Sequence, residues 1–161
     1  MKLARWCLIA LLSVALLTGC RGGGPEQSLE LEVISDVTEG VAWHVDFDRS
    51  ADCILLRIKA VKPRLDCYGH SRDHSSEPIN LSHGILGPKY SIYFAMGSVQ
   101  RNAVSVVVTR TSGEPIRLPV FRVGSSDAGF FAVAYPNNGD SGIIRLVTAF
   151  DSAGREVGRV T

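Results

Sequence analysis

The sequence has no excess of charge of one sign. Its 17 basic and 16 acidic residues leave a formal net charge of +1, and no basic block is long enough to neutralise a run of phosphates. Nucleic acid is therefore not an expected partner. Aromatic residues make up only 7% of the chain, although 45% of the residues are hydrophobic. This composition excludes a disordered chain, a coiled coil and a collagen-like repeat, and it indicates one globular domain.

Long apolar runs are also scarce. The longest spans residues 6–17, is interrupted only by Ser13, and follows the basic residues Lys2 and Arg5. It is too short to cross a hydrocarbon core of about 30 Å, which needs about 20 apolar residues. A basic start followed by a short apolar segment is typical of a secretory signal peptide, which we assign to residues 1–19.

This segment ends in Leu17-Thr18-Gly19-Cys20, which resembles the lipobox of bacterial lipoproteins. The resemblance implies that Cys20 receives a diacylglycerol and that the signal peptide is cut just before it. It also implies an extracytoplasmic protein, lipid-anchored to the cell membrane, or to the outer membrane in a cell that has two. Two or three acyl chains anchor a protein stably without a membrane-spanning helix. The alternatives are an uncleaved transmembrane anchor and a secreted protein in which Cys20 is incidental.

A glycine-rich stretch follows the lipobox. Residues 21–28 contain three consecutive glycines and no apolar residue that could join a core, as expected of a flexible tether. We therefore expect residues 20–28 to form a lipidated N-terminus and tether, and residues 29–161 to form a single domain. Without residues 1–19 the chain carries 15 basic and 16 acidic residues.

The cysteines are few, and their positions favour the same compartment. Of the four, Cys7 leaves with the signal peptide and Cys20 carries the lipid, so Cys53 and Cys67 remain as one pair. In an oxidising compartment such a pair is expected to form a disulfide. Closing so short a loop stabilises a fold by about 3 kcal/mol in the chain-entropy model. The alternative is two buried thiols that behave as small hydrophobic residues.

From residue 29 onward, apolar residues alternate with polar ones, which is the period of a half-buried strand. No window of 11 or more residues after the signal peptide has the apolar spacing of a helix. Predicted strands lie at residues 29–33, 41–48, 54–60, 90–96, 104–109, 116–123, 130–135, 143–150 and 157–160. Eight or nine short strands predict an all-β fold, a small antiparallel β-sandwich of the immunoglobulin-like kind, with a small barrel as the alternative.

Three turn signals separate the later strands. Gly113 and Gly154 each stand fourth in a polar tetrapeptide between two strands, where a type I turn needs a residue with positive φ. The third signal is residues 137–140, Asn-Asn-Gly-Asp. These sequences predict hairpins.

The C-terminal third resembles a second group of proteins. The segments 129–133 and 147–155, GFFAV and VTAFDSAGR, are similar to a pattern in small, uncharacterised exported β-sandwich proteins of high-GC Gram-positive bacteria. The resemblance implies a β-sandwich module on the outer face of a single membrane, and it implies no activity.

Candidates for chemistry are few. His70 and His74 are four residues apart and close to Cys67, so a metal site with Cys53 is conceivable. It would compete with the disulfide, and we expect no metal or other cofactor there. The segment is more simply a solvated loop closed at its base by the cysteines.

A second cluster lies on one predicted strand. His44, Asp46 and Asp48 alternate and so share a face. They suit an acid–base cluster or a weak cation site, or form the solvent-facing half of an amphipathic strand. The fourth histidine, His83, has no partner nearby in sequence and is given no role.

The hydrolase elbow, the zinc-protease helix, the phosphate-binding loop and the dinucleotide-binding glycines are all missing from the sequence. We therefore expect a non-catalytic binding or accessory module that is held at the membrane by its lipid and contacts an envelope protein or polymer. One alternative is an inhibitor that presents the loop between Cys53 and Cys67 to a secreted protease. The other is a small hydrolase or metal-dependent enzyme that uses the His44–Asp48 cluster or the loop of His70 and His74.

Overall fold

The fold is all-β, as the alternation predicted. The computed structural model describes residues 30–48, 53–59, 61–67, 77–86, 91–122 and 128–161. These residues form eleven strands and one short 3₁₀ helix, Gly139–Gly142. The strands are β1 (Glu30–Thr38), β2 (Val41–Asp48), β3 (Cys53–Ile58), β4 (Arg64–Cys67), β5 (Ile79–Leu86), β6 (Ile92–Val99), β7 (Ser105–Arg110), β8 (Ile116–Pro119), β9 (Gly129–Pro136), β10 (Ile144–Phe150) and β11 (Glu156–Val160). Within these ranges, no helix has the length and apolar character needed to cross a membrane.

The strands form three antiparallel sheets, which we name by position. The front sheet has the order β1-β2-β3-β4, the middle sheet β5-β6-β9, and the back sheet β11-β10-β7-β8. Immunoglobulin-like sandwiches place their first, second and fifth strands in one sheet and their third, sixth and seventh in the other. When β5 is counted as the first strand, the first, second and fifth strands are β5, β6 and β9, which form the middle sheet. The third, sixth and seventh are β7, β10 and β11, which lie in the back sheet, where the fourth strand, β8, pairs with β7. The predicted immunoglobulin-like sandwich is therefore present, and the front sheet is an addition to it.

The middle sheet is covered on both faces. Seven of the eight residues of β6 and of β9 are buried, although successive side chains point to opposite sides of a sheet. On one side, the ring of Phe130 lies 5.6 Å from that of Phe47 in the front sheet. On the other side, Tyr135 lies under Arg110 of the back sheet. A strand buried on both faces needs an almost continuous apolar sequence, and this is why β6 and β9 lack polar alternation.

The front sheet buries only one face. Trp43, Val45 and Phe47 of β2 alternate toward the middle sheet, and each is paired directly with an apolar residue of β3. The partners are Ile58, Leu56 and Ile54. The period of two predicted for this region is thus confirmed, and all three sheets share one hydrophobic core.

The predicted hairpins occur at Gly113, between β7 and β8, and at Gly154, between β10 and β11. The third predicted hairpin is wrong, because the 3₁₀ helix Gly139–Gly142 connects β9 of the middle sheet to β10 of the back sheet and these strands are not paired. Gly113, Gly139 and Gly154 have φ of 88°, 71° and 74°, the positive values that only glycine adopts without strain. The turn between β1 and β2 was not predicted. It consists of Glu39 and Gly40, with φ of 49° and 86°, which is the two-residue type I′ geometry that matches the twist of a hairpin.

Two strands were missed by the sequence analysis, which predicted eight or nine rather than eleven. β4 and β5 lie at the edges of their sheets, where a strand buries few side chains. Their sequences, RLDC and INLSHGIL, carry polar residues and a glycine that weaken the strand pattern. Residues 1–28, which hold the expected signal peptide and tether, lie outside the described ranges.

Candidate functional site

An open groove lies on the outer face of the front sheet. It has a volume of about 660 Å³ and is lined by Ser35, Asp36, Val37, Ala42, Trp43, His44 and Lys59. The strand register explains the depression. On one side of Ala42 lies its partner in β1, Val37. On the other side lies Lys59, because Trp43 is paired with Ile58 and the next position along each strand brings Ala42 beside Lys59. The small side chain of Ala42 therefore lies between the longer side chains of Val37 and Lys59.

The groove combines an apolar floor with a polar rim. Val37 is 61% exposed, more than any other large apolar side chain of the described residues. In the adjacent row of the sheet, Ser35 is paired with His44. At the rim, Lys59 is exposed, and no carboxylate of the described residues forms an ion pair with it. The groove therefore presents an exposed ammonium group and the carboxylate of Asp36 beside an apolar patch.

The predicted cluster of His44 and Asp46 lies next to the groove. Nε2 of His44 is 3.9 Å from Oδ1 of Asp46, and Oδ2 of Asp46 accepts a hydrogen bond from Nε of Arg57. The two predicted residues do share one face, but Asp46 is only 7% exposed. The interpretation of this face as solvent-facing is thus wrong for Asp46, which is buried. Its burial is tolerated because Arg57 of β3 compensates the charge of the carboxylate. The side chain of Asp48 lies outside the described part.

The carboxylate of Asp36 is also engaged. Its Oδ1 accepts the backbone N–H of Val37 at 2.7 Å, a bond that draws the carboxylate toward the backbone of the edge strand β1. Because this donor is uncharged, Asp36 keeps its negative charge at the groove.

The two predicted disulfide partners are directly opposite each other in the front sheet. β3 and β4 are paired so that Cys53 faces Cys67, and Cys53 is fully buried. Directly opposite residues of antiparallel strands have Cα atoms about 4.5–5.5 Å apart, within the range that a disulfide spans. The backbone register therefore suits the expected bond.

Several predicted site residues fall elsewhere. Cys20, His70 and His74 lie outside the described residues. In the part of the chain that is described, no three His, Cys, Asp or Glu side chains converge as they would around a metal ion. His83, which had no predicted role, has Nδ1 3.1 Å from the hydroxyl of Tyr93, and the two rings stack with centroids 6.1 Å apart.

An ionic contact connects the front and back sheets. Glu39, in the turn between β1 and β2, accepts hydrogen bonds of 3.0 and 2.7 Å from the guanidinium of Arg110. Arg110 also donates to the carbonyl of Glu114 at 3.0 Å, and its guanidinium lies 5.0 Å from the ring centroid of Tyr135. Sequence reasoning missed this cluster because Glu39 and Arg110 are 71 positions apart.

Tyr135 belongs to the same cluster. Its hydroxyl donates a hydrogen bond of 2.9 Å to the carbonyl of Gly142, and its ring stacks on Tyr93 with centroids 5.6 Å apart. Burial raises the pKa of the Tyr135 phenol well above its ordinary value, and the nearby Tyr93 raises it further. The phenol is therefore a neutral hydrogen-bond donor.

The two ends of the front sheet carry different features. At one end, Glu30 is paired with Asp48, Asp48 with Cys53, and Cys53 with Cys67. We call this the Glu30 end. The opposite end carries the turn at Glu39, and the groove lies in this half of the sheet. The expected disulfide and the groove are therefore separated along the strands.

No family model, no curated protein and no solved structure matches this chain.

Proposed function

We propose that the protein is a lipid-anchored extracytoplasmic module of the cell envelope with a non-catalytic binding or accessory role. The observation that carries the proposal is the lipobox-like sequence ending in Cys20, ten positions before Glu30, the first residue of β1. A diacylglycerol on Cys20 would attach the sandwich to a membrane by one short segment of chain.

The position of the groove supports a binding role. A chain of nine residues spans at most about 30 Å, so the Glu30 end of the front sheet would stay close to the bilayer. β1 has nine residues and rises about 3.4 Å per residue. The groove in the other half of the sheet would then point away from the membrane, toward other molecules of the envelope.

An oxidised pair of Cys53 and Cys67 forms part of the proposal. It is supported by the direct pairing of the two residues and by the export that a lipobox implies. β4 has only four residues and lies at the edge of the front sheet, where it is hydrogen-bonded to one strand, β3. A covalent bond between Cys53 and Cys67 would therefore keep this short edge strand attached to the sheet.

Intact mass of the protein extracted from its native membrane tests the anchor. We expect residues 20–161 plus acyl groups, and we expect Cys20→Ser to abolish both acylation and cleavage. Cys7→Ser is the matched control, because it removes a thiol of the signal segment and leaves the lipobox unchanged. A membrane-bound, normally processed Cys20→Ser product would refute the anchor.

The disulfide is tested with the same sample. Oxidised protein should be two hydrogens lighter than reduced protein, and Cys53→Ser should melt at a lower temperature under oxidising conditions. Equal melting temperatures for Cys53→Ser and the parent would argue against a structural bond.

A second candidate function is a small hydrolase. The specific observation is that Ser35 is paired with His44, which shares its face with Asp46. The 3.9 Å between His44 and Asp46 exceeds the reach of a hydrogen bond that would orient the imidazole. Hydrolysis of simple esters that is lost in Ser35→Ala and retained in Ser112→Ala would favour this function over the first.

A further inference from the structure

We propose that Asn138 is a site of spontaneous deamidation, in which the backbone nitrogen of Gly139 attacks the side-chain amide of Asn138. The site belongs to the Asn-Asn-Gly-Asp segment, residues 137–140, which connects β9 of the middle sheet to β10 of the back sheet. Such a modification requires neither the lipid anchor nor the groove. Three properties of the segment support it: the residue that follows Asn138, the exposure of the loop, and the hydrogen bonding of the attacking nitrogen.

Gly139 leaves its own backbone nitrogen accessible to the preceding side chain. A residue with a Cβ hinders the approach of this nitrogen to the side chain before it, whereas glycine has no Cβ. A Cβ built at Gly139 would also meet no atom within 4 Å. Neither a side chain of its own nor the rest of the fold therefore hinders the attack.

The loop is exposed where the reaction would take place. Asn138, Gly139 and Asp140 are all exposed. The ψ of Asn138 is 41°, and rotation about its Cα–C bond brings the nitrogen of Gly139 toward the side-chain carbon. Because these residues lie at the surface, this rotation displaces no buried side chain, and surface loops are the more mobile parts of a domain. Water, the second reactant, also reaches the site.

The N–H of Gly139 is not held by a hydrogen bond. Gly139 is the first residue of the 3₁₀ helix Gly139–Gly142, and the first N–H groups of a helix have no partner within it. Among the described residues, no hydrogen bond uses this N–H as its donor. Asn102 provides a contrast, because it also lies in an exposed turn. The residue after it, Ala103, has a side chain and donates its N–H to the carbonyl of Gln100 at 3.1 Å.

The reaction balances with water as the only co-reactant. The nitrogen of Gly139 forms a bond to Cγ of Asn138, the bond from Cγ to Nδ2 breaks, and the proton of the attacking nitrogen leaves with Nδ2 as ammonia. Water then opens the resulting succinimide ring at either of its carbonyl carbons. One product is aspartate, and the other is isoaspartate, in which the main chain runs through Cγ. Both products place a new carboxylate next to Asp140.

Peptide mass spectrometry of the purified full-length protein tests the site. After incubation at mildly alkaline pH, trypsin releases residues 123–145 and 102–110 as separate peptides, and fragmentation distinguishes isoaspartate from aspartate at each asparagine. We expect Asn138 to convert about tenfold faster than Asn102, since glycine follows only Asn138, and we expect isoaspartate among the products. Equal rates at the two residues, no conversion of Asn138, or aspartate without isoaspartate would overturn the proposal.

Two glycine variants separate the local effect from backbone strain. Gly139→Ala adds a Cβ beside the attacking nitrogen and should slow the conversion of Asn138 about tenfold. Gly154→Ala is the matched control, because Gly154 also has a positive φ, 74°, and a Cβ there would likewise meet nothing within 4 Å. It should leave the rate at Asn138 unchanged. Equal slowing in both variants, or none in Gly139→Ala, would contradict the attack by the nitrogen of Gly139.

Asn138→Gln removes the reacting side chain. Its longer side chain closes a less favourable ring, so the acidic species that ion-exchange chromatography separates from aged parent protein should no longer form. Their appearance at the parental rate in Asn138→Gln would assign them to another residue and refute the site. Folding of the variants is checked by the fluorescence of the buried Trp43. If Gly139→Ala does not fold, Asn138→Gln and the comparison with Asn102 decide the question.

Discussion

Glu39 and Arg110 form a bidentate ion pair across two sheets. Both carboxylate oxygens accept from the guanidinium, at 2.7 and 3.0 Å, and the Arg110 side chain is only 8% exposed. The pair joins the turn between β1 and β2 to the end of β7, so it fixes the front sheet to the immunoglobulin-like sandwich behind it. Parallel hydrogen bonds of this type are stronger and more directional than a single one.

Arg110→Met should therefore destabilise the fold. The variant keeps an unbranched apolar stem but loses the bonds to Glu39 and to the carbonyl of Glu114, and it loses the contact with the Tyr135 ring. We expect the free energy of unfolding in urea to fall by about 2 kcal/mol. Arg159→Met is the control, because the exposed pair of Arg159 with Glu156 should contribute about 0.5 kcal/mol or less. Equal effects of the two variants would contradict this role of Arg110.

Tyr135→Phe tests the buried hydroxyl. It removes the donor to the carbonyl of Gly142 and leaves that carbonyl without its partner in a buried position, at a cost of about 1–2 kcal/mol. Tyr93→Phe is the matched control, since its hydroxyl bonds to the exposed His83 and water can replace it. Calorimetric melting of both variants should show the larger loss for Tyr135→Phe, and the reverse order would be evidence against the bond.

Stability should also depend on pH through Tyr135. Because burial raises the pKa of its phenol, the folded state holds this proton more tightly than the unfolded chain does. The associated stability is complete below the ordinary tyrosine pKa of about 10 and is lost as the pH rises above it. We expect the free energy of unfolding to decline more steeply above pH 10 in the parent than in Tyr135→Phe. Parallel declines would exclude Tyr135 as the source.

Asp151 should titrate below its ordinary range. The N–H of Arg155 donates to its Oδ1 at 2.9 Å, as does the N–H of Ala153, and the Arg155 guanidinium contacts its Oδ2. The backbone bond from Arg155 is the largest cause of the lowered pKa. Stability from this group is present above the unfolded pKa of about 4 and is lost as the pH falls through the folded value.

Carboxyl chemical shifts measured across acidic pH would follow this titration. Arg155→Ala keeps the two backbone donors and removes only the side chain, so part of the lowering of the Asp151 pKa should persist in it. A return of the Asp151 pKa to its ordinary value in Arg155→Ala would mean that the guanidinium, and not the backbone, is responsible.

Gly97 should tolerate no side chain. An added Cβ would overlap the backbone carbonyl of Asn80 in β5 and lie 2.9 Å from two ring carbons of Phe131 in β9. Gly97→Ala should cost about 3 kcal/mol or more, because two paired strands would have to move apart. Gly40→Ala is the control: its Cβ would meet nothing within 4 Å, and only its positive φ should cost about 1–2 kcal/mol. Urea unfolding compares the two, and equal losses would argue against the close approach.

Much of the fold could be predicted locally. β2 was predicted within its bounds because its alternate residues are apolar, and Gly113 and Gly154 marked turns because a positive φ favours glycine. β4 and β5 were missed because edge strands need few apolar residues. The turn at Glu39 was missed because a glutamate with positive φ is rare and is held here by Arg110, which no local pattern shows.

By itself, the sequence determined the all-β content, most strand positions, the hairpin turns and the lipobox-like segment, because each depends on residues close together in the chain. Only the tertiary structure decided that β6 and β9 are covered on both faces. It also decided that Asp46 is compensated by Arg57, that Glu39 meets Arg110, and that Val37, Ala42 and Lys59 line one groove. The physical reason is that register and sheet packing bring together residues from separate strands, and the alternation within each strand does not specify which strand lies beside it.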